Sequence, residues 1–523
     1  MFANFFKSVY NQDVIDPNMT LGLSSVNNNI DLHDIDISID ETLSAILVAF
    51  LVLVICLYFY SEYKDCPPGP WGLPIIGYLH KIDRTTPNLD LMQLAQKYGP
   101  MYSIKLGLVN IVVISEAKLV RKVLSQDESL ARPPLYTFKI MFGTRGITGT
   151  AVDLWRNQRK FVEKFLRTAG ATKTATNRKT IEEYIRKSSE EFVQYVHSRG
   201  NRTIVNPSEA VMYYVTTIAA VIFLGASFKR DDQIQKDLTE NLDKIVQLST
   251  VSGPLNYLPF LDFVSKYKKM GNLYEQMIKD IKDTLEKFIN EKMETSPATN
   301  LIGAFLSEMS KNDCPEIYNP AQLKQLVFDL FAASTETTLN SILWLMLYLA
   351  KYQEVQNKVR QELFDVLQGK TPQLDDLSNL PYTKATLAET ARIRTVVPLG
   401  FPHYATDDIV VENVKIRKGT IIMPLLWAIH MDPEVWKEPE EFRPERFLND
   451  QGKFLWHESF IPFQTGKRMC VGKDLGDMMV FLFFATVLQR VKIECGDSGK
   501  IDFSYVCGLP LLSKPQELVF VKI

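Results

Sequence analysis

Apolar residues follow three different rhythms along this chain. From Leu43 to Tyr60, LSAILVAFLVLVICLYFY, they run for eighteen residues without a charge. At 1.5 Å per residue this predicts a helix about 27 Å long, close to the hydrocarbon thickness of an endoplasmic-reticulum bilayer. The competing reading is a buried core helix. Such a helix would carry a polar stripe, whereas this run has only Ser44 and tyrosines gathered at one end. A second rhythm appears in MYSIKLG (101–107) and NIVVIS (110–115), two β-rich runs separated by two residues, which predict a hairpin. The third is the three- and four-residue spacing of NLYEQMIKDIKDTLEKFINEKM (272–293), part of a long helical middle expected over roughly 150–370. The last third mixes helices with short strands such as the closing ELVFVKI. The predicted fold class is mainly α with a smaller β-rich region.

Between the uncharged run and the hairpin lies CPPGPWGLPIIG (66–77), with four prolines and three glycines in twelve residues. That composition excludes regular helix and central strand and predicts a stiff, extended connector. The expected organisation is therefore an acidic leader (1–41), a transmembrane anchor (42–60), a connector (61–77) and one large globular domain (78–523). No repeat, no GxGxxG and no GxxxxGK[ST] occurs, so the chain has no nucleotide site of its own.

Charge sharpens the picture at both ends. The leader holds seven acids against Lys7, and the net charge of the whole chain is −2. This balance argues against a nucleic-acid partner. Lys64 just after the anchor favours a cytoplasmic C-terminal side and a lumenal leader, where Asn18 would head a glycosylation sequon. With 46% apolar and 23% charged residues, a sizeable core is expected and wholesale disorder is excluded. Six cysteines with no CxxC pair make neither a disulfide scaffold nor a zinc ribbon.

One of those cysteines sits in PFQTGKRMCVGKDLG, spaced Phe463, Gly466, Arg468, Cys470, Gly472. Read as chemistry, this is a thiolate offered to a metal. The glycines allow a tight turn and close approach of a flat ligand. Backbone N–H groups would stabilise the sulfur anion, Arg468 would meet an acidic group beside it, and Phe463 would exclude water. The competing reading is a buried structural cysteine in a strand-to-helix turn.

The spacing F-x-x-G-x-R-x-C-x-G resembles the haem loop of the cytochrome P450 superfamily, and the likeness runs over roughly 66–523. It implies the cytochrome P450 fold behind a single N-terminal transmembrane helix, with 78–523 as the haem-binding catalytic domain. It makes Cys470 the axial ligand of the iron of haem b (iron protoporphyrin IX), and a thiolate there favours O–O cleavage.

Other motifs follow in the family's order. FDLFAASTETTLNSILWLMLYLA (328–350) is apolar almost throughout yet carries Glu336, Thr337 and Thr338 as a polar interruption at its middle. Alone, that interruption fits a Thr bonding its own i−4 carbonyl. It also resembles the family's oxygen-activation helix, which makes Glu336 and Thr337 an acid–alcohol pair for proton relay. Ser334 stands where the family usually has Gly. Glu389 and Arg392, three apart, would be a commonplace surface pair on their own. In context they resemble the family's ExxR helix, with Arg446 of FRPERF as third member of a cluster bracing the haem loop. Trp155 and Arg159 resemble the W-x-x-x-R helix and, with Arg468 and His403, are candidate partners for the two haem carboxylates; a satisfied loop histidine is the alternative for His403.

The segment TVVPLG (395–400) and the turn CGLPLL (507–512) would line an apolar substrate pocket through Val397, Leu399 and Leu509, together with Ala333. GPWGLPIIGYL and PLGFPH look most like arthropod microsomal members allied to the steroid- and drug-metabolising group. The expected activity is monooxygenation of a hydrophobic steroid, lipid or xenobiotic with O2. Electrons would come from NADPH only indirectly, through NADPH–cytochrome reductase in the same endoplasmic-reticulum membrane, with cytochrome b5 as a second candidate donor. Arg156 and Lys160 are candidate contacts for an acidic flavoprotein. Two alternatives remain open: a haem-thiolate isomerase or dehydratase needing no external electrons, and a non-catalytic membrane-tethered haem protein.

Overall fold

Long helices build most of this protein. The computed structural model describes residues 43–54, 66–230, 232–248, 253–293, 297–311, 314–497 and 499–523. The leader with Asn18, residues 42 and 55–60 of the anchor and residues 61–65 of the connector lie outside the described residues. The chain divides into two units, Met1–Lys64 and Asp65–Ile523. In the first, residues 43–54 form a helix with every side chain exposed. Among the described residues no helix is long and apolar enough to cross a membrane.

In the second unit the principal helices are α1 (Val152–Thr168), α2 (Arg178–His197), α3 (Ser208–Ala219) and α4 (Gln233–Leu248). They are followed by α5 (Ser265–Lys292), α6 (Pro320–Lys351), α7 (Pro381–Ile393) and α8 (Lys473–Leu488). Helix α6 is the axis. Asn319 caps it by accepting from the Gln322 amide at 2.9 Å, and Pro320 opens it. Nearly all of its second half is buried, and α3, α5, α7 and α8 pack against it. A helix apolar on all sides needs such neighbours.

The strands are β1 (Met101–Leu106), β2 (Val109–Ile114), β3 (Arg202–Val205), β4 (His403–Tyr404) and β5 (Ile409–Val411). After them come β6 (Val414–Ile416), β7 (Ile421–Pro424), β8 (Val491–Cys495), β9 (Tyr505–Cys507), β10 (Leu511–Ser513) and β11 (Leu518–Lys522). The expected hairpin is present, with Met101 opposite Ile114 and Leu106 opposite Val109. It extends into a sheet ordered β1-β2-β7-β4, in which β2 and β7 are parallel. The closing strand β11 lies between β3 and β8. The Pro/Gly-rich segment forms neither helix nor strand, as its composition requires, and docks along β1: the Ser103 amide donates to Pro68 O at 2.9 Å.

Candidate active site

The cysteine loop connects the segment after the short helix Leu426–His430 to α8. Its neck is closed by the Cys470 amide donating to Phe463 O at 3.1 Å. Its tip is Gly466, whose φ of +81° is left-handed. A Cβ there would sit 2.3 Å from Leu124 O, so both the conformation and the packing demand glycine. At Gly472 a Cβ would meet only Cys470 Sγ, at 4.0 Å, so the protein itself leaves that side open.

Cys470 comes just before α8, where helical amides point outward, and the Gly472 amide donates toward its sulfur. The side chain opens onto a cavity of about 550 Å³ yet lies deep enough for burial to push the thiol's pKa up. The Gly472 amide, Arg159 and Lys473 oppose that rise, while Asp477 adds to it. A bound metal cation would supply the missing stabilisation of a thiolate.

Among the cations lining the same cavity, Arg468 and Arg132 have no carboxylate partner among the described residues. Arg468 is buried with its guanidinium 4.4 Å from the Trp155 ring, and it donates to the carbonyls of Ile147, Thr148 and Thr150 at 3.2–3.4 Å. Arg132 donates to Pro402 O at 2.7 Å and lies 4.7 Å over Phe401. The Nε atoms of both are buried without a partner. Burial, reinforced by neighbouring guanidinium groups, pulls Arg468 down to about 9 and Arg132 well below its ordinary value. A buried and a half-buried cation, neither with a counter-charge, call for an anion. A flat, largely apolar group with two carboxylates and a metal that takes a thiolate suits this cavity.

Trp155 and Arg159 sit on α1 as their four-residue spacing predicts. Arg159, however, donates to Met469 O at 2.6 Å and pairs with Glu163 at 2.5 Å, so it also clasps the backbone just before the cysteine. His403 is buried but does not line the cavity. Its Nδ1 bonds Ser129 O at 2.7 Å, and its Nε2 has no partner. Burial and the charges of Arg132 and Arg468 hold it neutral. A carboxylate brought near would reverse that and let Nε2 donate.

On α6, Glu336 and Thr337 both line the cavity without bonding each other. Thr337 Oγ1 donates to Ala333 O at 2.7 Å, the local back-bond its sequence context allows. Both carboxylate oxygens of Glu336 are buried and unpaired; burial first, then the charge of Asp243, raise its pKa to about 8. It therefore holds a proton at neutral pH. Ser334 Oγ donates to Phe331 O at 3.0 Å, and α6 runs through it unbroken.

Glu389 and Arg392 are fully buried on α7 and form a bidentate pair at 2.7 and 2.8 Å. Arg446 adds a 2.9 Å bond to Glu389. The two arginines spend their other donors on the carbonyls of His430, Lys437, Glu438, Pro439 and Glu441. The cluster thus fastens residues 430–441, not the cysteine loop directly.

Ala333, Val397 and Leu509 line the cavity. Leu399 does not: the left-handed Gly400 (φ +60°) reverses the chain beside Pro424, leaving Leu399 in the core and Phe401 on the cavity wall. Sequence reasoning also missed Arg132 and Asp329. Asp329, buried on α6, accepts from the Ile147 and Thr148 amides, both at 2.8 Å, and so fixes the carbonyls that hold Arg468. Each could have been noticed as an isolated charge inside an apolar run, SLARPPL and VFDLF.

Residues 67–520 match the family model described as Cytochrome P450. The chain is 31% identical to "Cytochrome P450 306a1" of Drosophila melanogaster, covering 92% of this chain and 94% of the relative. It is 32% identical to "Cytochrome P450 2U1" of Homo sapiens over 84% of this chain and 85% of that protein. It is 30% identical to "Farnesoate epoxidase" of Bombyx mori over 91% and 98%.

Proposed function

The chain belongs to the cytochrome P450 family, and from that premise we propose that it inserts one oxygen atom from O2 into a hydrophobic steroid, lipid or xenobiotic, R–H + O2 + 2e⁻ + 2H⁺ → R–OH + H2O. The observation that carries this reading is the Cys470 thiol on a mainly apolar cavity also lined by the guanidinium groups of Arg468 and Arg132, each bonded to carbonyls and with a buried, unpartnered Nε, but neither facing a carboxylate. Haem b, the family's cofactor, supplies oxygen activation and single-electron chemistry when bound. Cys470 would hold its iron, and Arg468 and Arg132, with Trp155 beneath Arg468, would hold its carboxylates. Arg159 steadies the loop, and His403 is a reserve donor. Glu336 keeps a proton beside the cavity and Thr337 offers hydroxyl lone pairs, which suits a reaction consuming two protons. That provision favours monooxygenation over a redox-neutral isomerase or a haem carrier.

The electrons require a redox partner, and NADPH through a reductase is the family's standard arrangement. Lys160 is exposed on α1, whereas Arg156 is already paired with Asp127 and Asp153 at 3.2 Å. Such surface pairs exchange readily, so both remain candidate docking contacts for a reductase or cytochrome b5. We read the protein as anchored in the endoplasmic-reticulum membrane by 42–60 with its catalytic domain cytoplasmic. A second apolar surface on that domain supports contact with lipid. Leu108 is exposed at the β1–β2 turn, which bonds Ile76 O and Tyr257 O, and the two segments so tied to it carry the exposed Trp71 (76%), Leu73 and Ile75, and Phe260 and Phe263 (93%). The test is a reconstituted system with reductase, NADPH and ¹⁸O2. Substrate-dependent NADPH consumption with one labelled oxygen in the product is expected; turnover without reductant or label would establish the isomerase instead.

A further inference from the structure

The buried Glu389–Arg392–Arg446 cluster has no hydrogen bond to residues 461–472, yet those residues carry the proposed iron ligand. One side chain bridges the gap. His430, fully buried at the end of the short helix Leu426–His430, gives its carbonyl to Arg392 at 2.8 Å. Its ring spans two elements: Nδ1 lies 2.6 Å from Thr395 Oγ1, and Nε2 lies 3.0 Å from the Ile461 amide.

The surrounding bonds fix the tautomer. Thr395 Oγ1 donates its own hydrogen to Arg392 O at 2.9 Å, so toward His430 it accepts. Nδ1 therefore carries the proton, and Nε2 presents the lone pair that takes the Ile461 N–H. Ile461 is held at its other end too, because its carbonyl accepts the Gln464 amide at 2.9 Å. Two residues later Phe463 O closes the loop on the Cys470 amide. A continuous set of buried hydrogen bonds thus runs from Glu389 through Arg392, Thr395 and His430 to the neck of the cysteine loop.

We propose that His430 is the positioning residue that couples the Glu–Arg–Arg cluster to the cysteine loop and holds Cys470 in register for its metal. The inference rests on the haem-thiolate reading above. The ring suits the task because it is rigid, fully buried and locked in one tautomer. Burial, with the adjacent Arg392 charge, lowers its pKa to about 3, so the accepting lone pair persists across the physiological range.

The holoprotein tests this with His430→Leu and Thr395→Val. Hydrogen exchange at the Ile461 amide should accelerate about tenfold or more in H430L, the scale of one lost buried hydrogen bond, while amides of α7 keep their protection. In the same protein the ferrous carbon monoxide complex should shift from the thiolate-ligated to the thiol-ligated band, a signature that general loosening away from the loop does not produce. T395V removes the acceptor for the Nδ1 proton and the bond to Arg392 O but leaves the ring to accept from Ile461, so it should show the same two changes severalfold more weakly; if H430L does not accumulate, T395V carries the test. Unchanged Ile461 exchange and an unchanged thiolate band in the variant that accumulates would overturn the proposal. A wild-type protein lacking the thiolate band would instead overturn the haem-thiolate reading itself.

Discussion

Replacing Glu336 by Gln should make the protein more stable and less active, and the size of the gain should depend on pH in a defined way. Both carboxylate oxygens of Glu336 are buried without a hydrogen-bond partner, and the native pKa is raised from 4.5 to about 8. For an acid shifted upward, the unfolded chain releases its proton first, so native stability falls as pH climbs from the unfolded pKa to the folded one. The loss accumulates at ~1.4 kcal/mol per pH unit, reaching ~3 kcal/mol at neutral pH and approaching ~5 kcal/mol near pH 8. Gln is nearly isosteric, does not titrate, and leaves about as much unpaired polarity as the neutral acid. Glu336→Gln should therefore match the wild type near pH 5 and exceed it progressively above. Urea unfolding of the holoprotein, followed by circular dichroism at about pH 5, 6, 7 and 8, gives the difference directly. Turnover should drop, because the proton held beside the cavity is gone. Parallel stability profiles for the two proteins would refute the reasoning, since they would mean that Glu336 is ionised and paired in the native state.

Other substitutions probe the frame around the site. Arg392→Ala leaves Glu389 buried with only Arg446 as an ionic partner and should cost ~3–5 kcal/mol, read as protein that accumulates without haem. Gly466→Ala forces a left-handed conformation and a Cβ 2.3 Å from Leu124 O; haem content measured against total protein should fall severely, although no ligand is removed. Arg132→Leu and Arg468→Leu each remove one cation that lacks a carboxylate, so haem transfer from either holoprotein to a scavenger protein should quicken about tenfold or more.

Much of this site was legible because its residues answer to local backbone demands. The left-handed tip at Gly466, the cysteine ahead of α8 and the four-residue spacing of Trp155 and Arg159 are each written within a few consecutive positions. The β1–β2 hairpin was readable for the same reason, since its strands are adjacent in the chain. What escaped depends on partners distant in sequence. The parallel pairing of β2 with β7 joins segments some three hundred residues apart. Arg132 gains its meaning only where folding brings it to Arg468, and Asp329 only where the Ile147 and Thr148 amides reach it. Leu399 failed as a pocket residue because one left-handed glycine decided which neighbour faced the cavity. Nothing near His430 in sequence announces the Ile461 amide that its ring accepts from.

The most direct test is the carbon monoxide difference spectrum of the reduced protein, recorded for the wild type and for Cys470→Ala after supply of porphyrin. The wild type should give the thiolate-ligated haem band and the variant should lose it. A colourless wild type, or a haem held through nitrogen with the band unaffected by removing Cys470, would contradict the account.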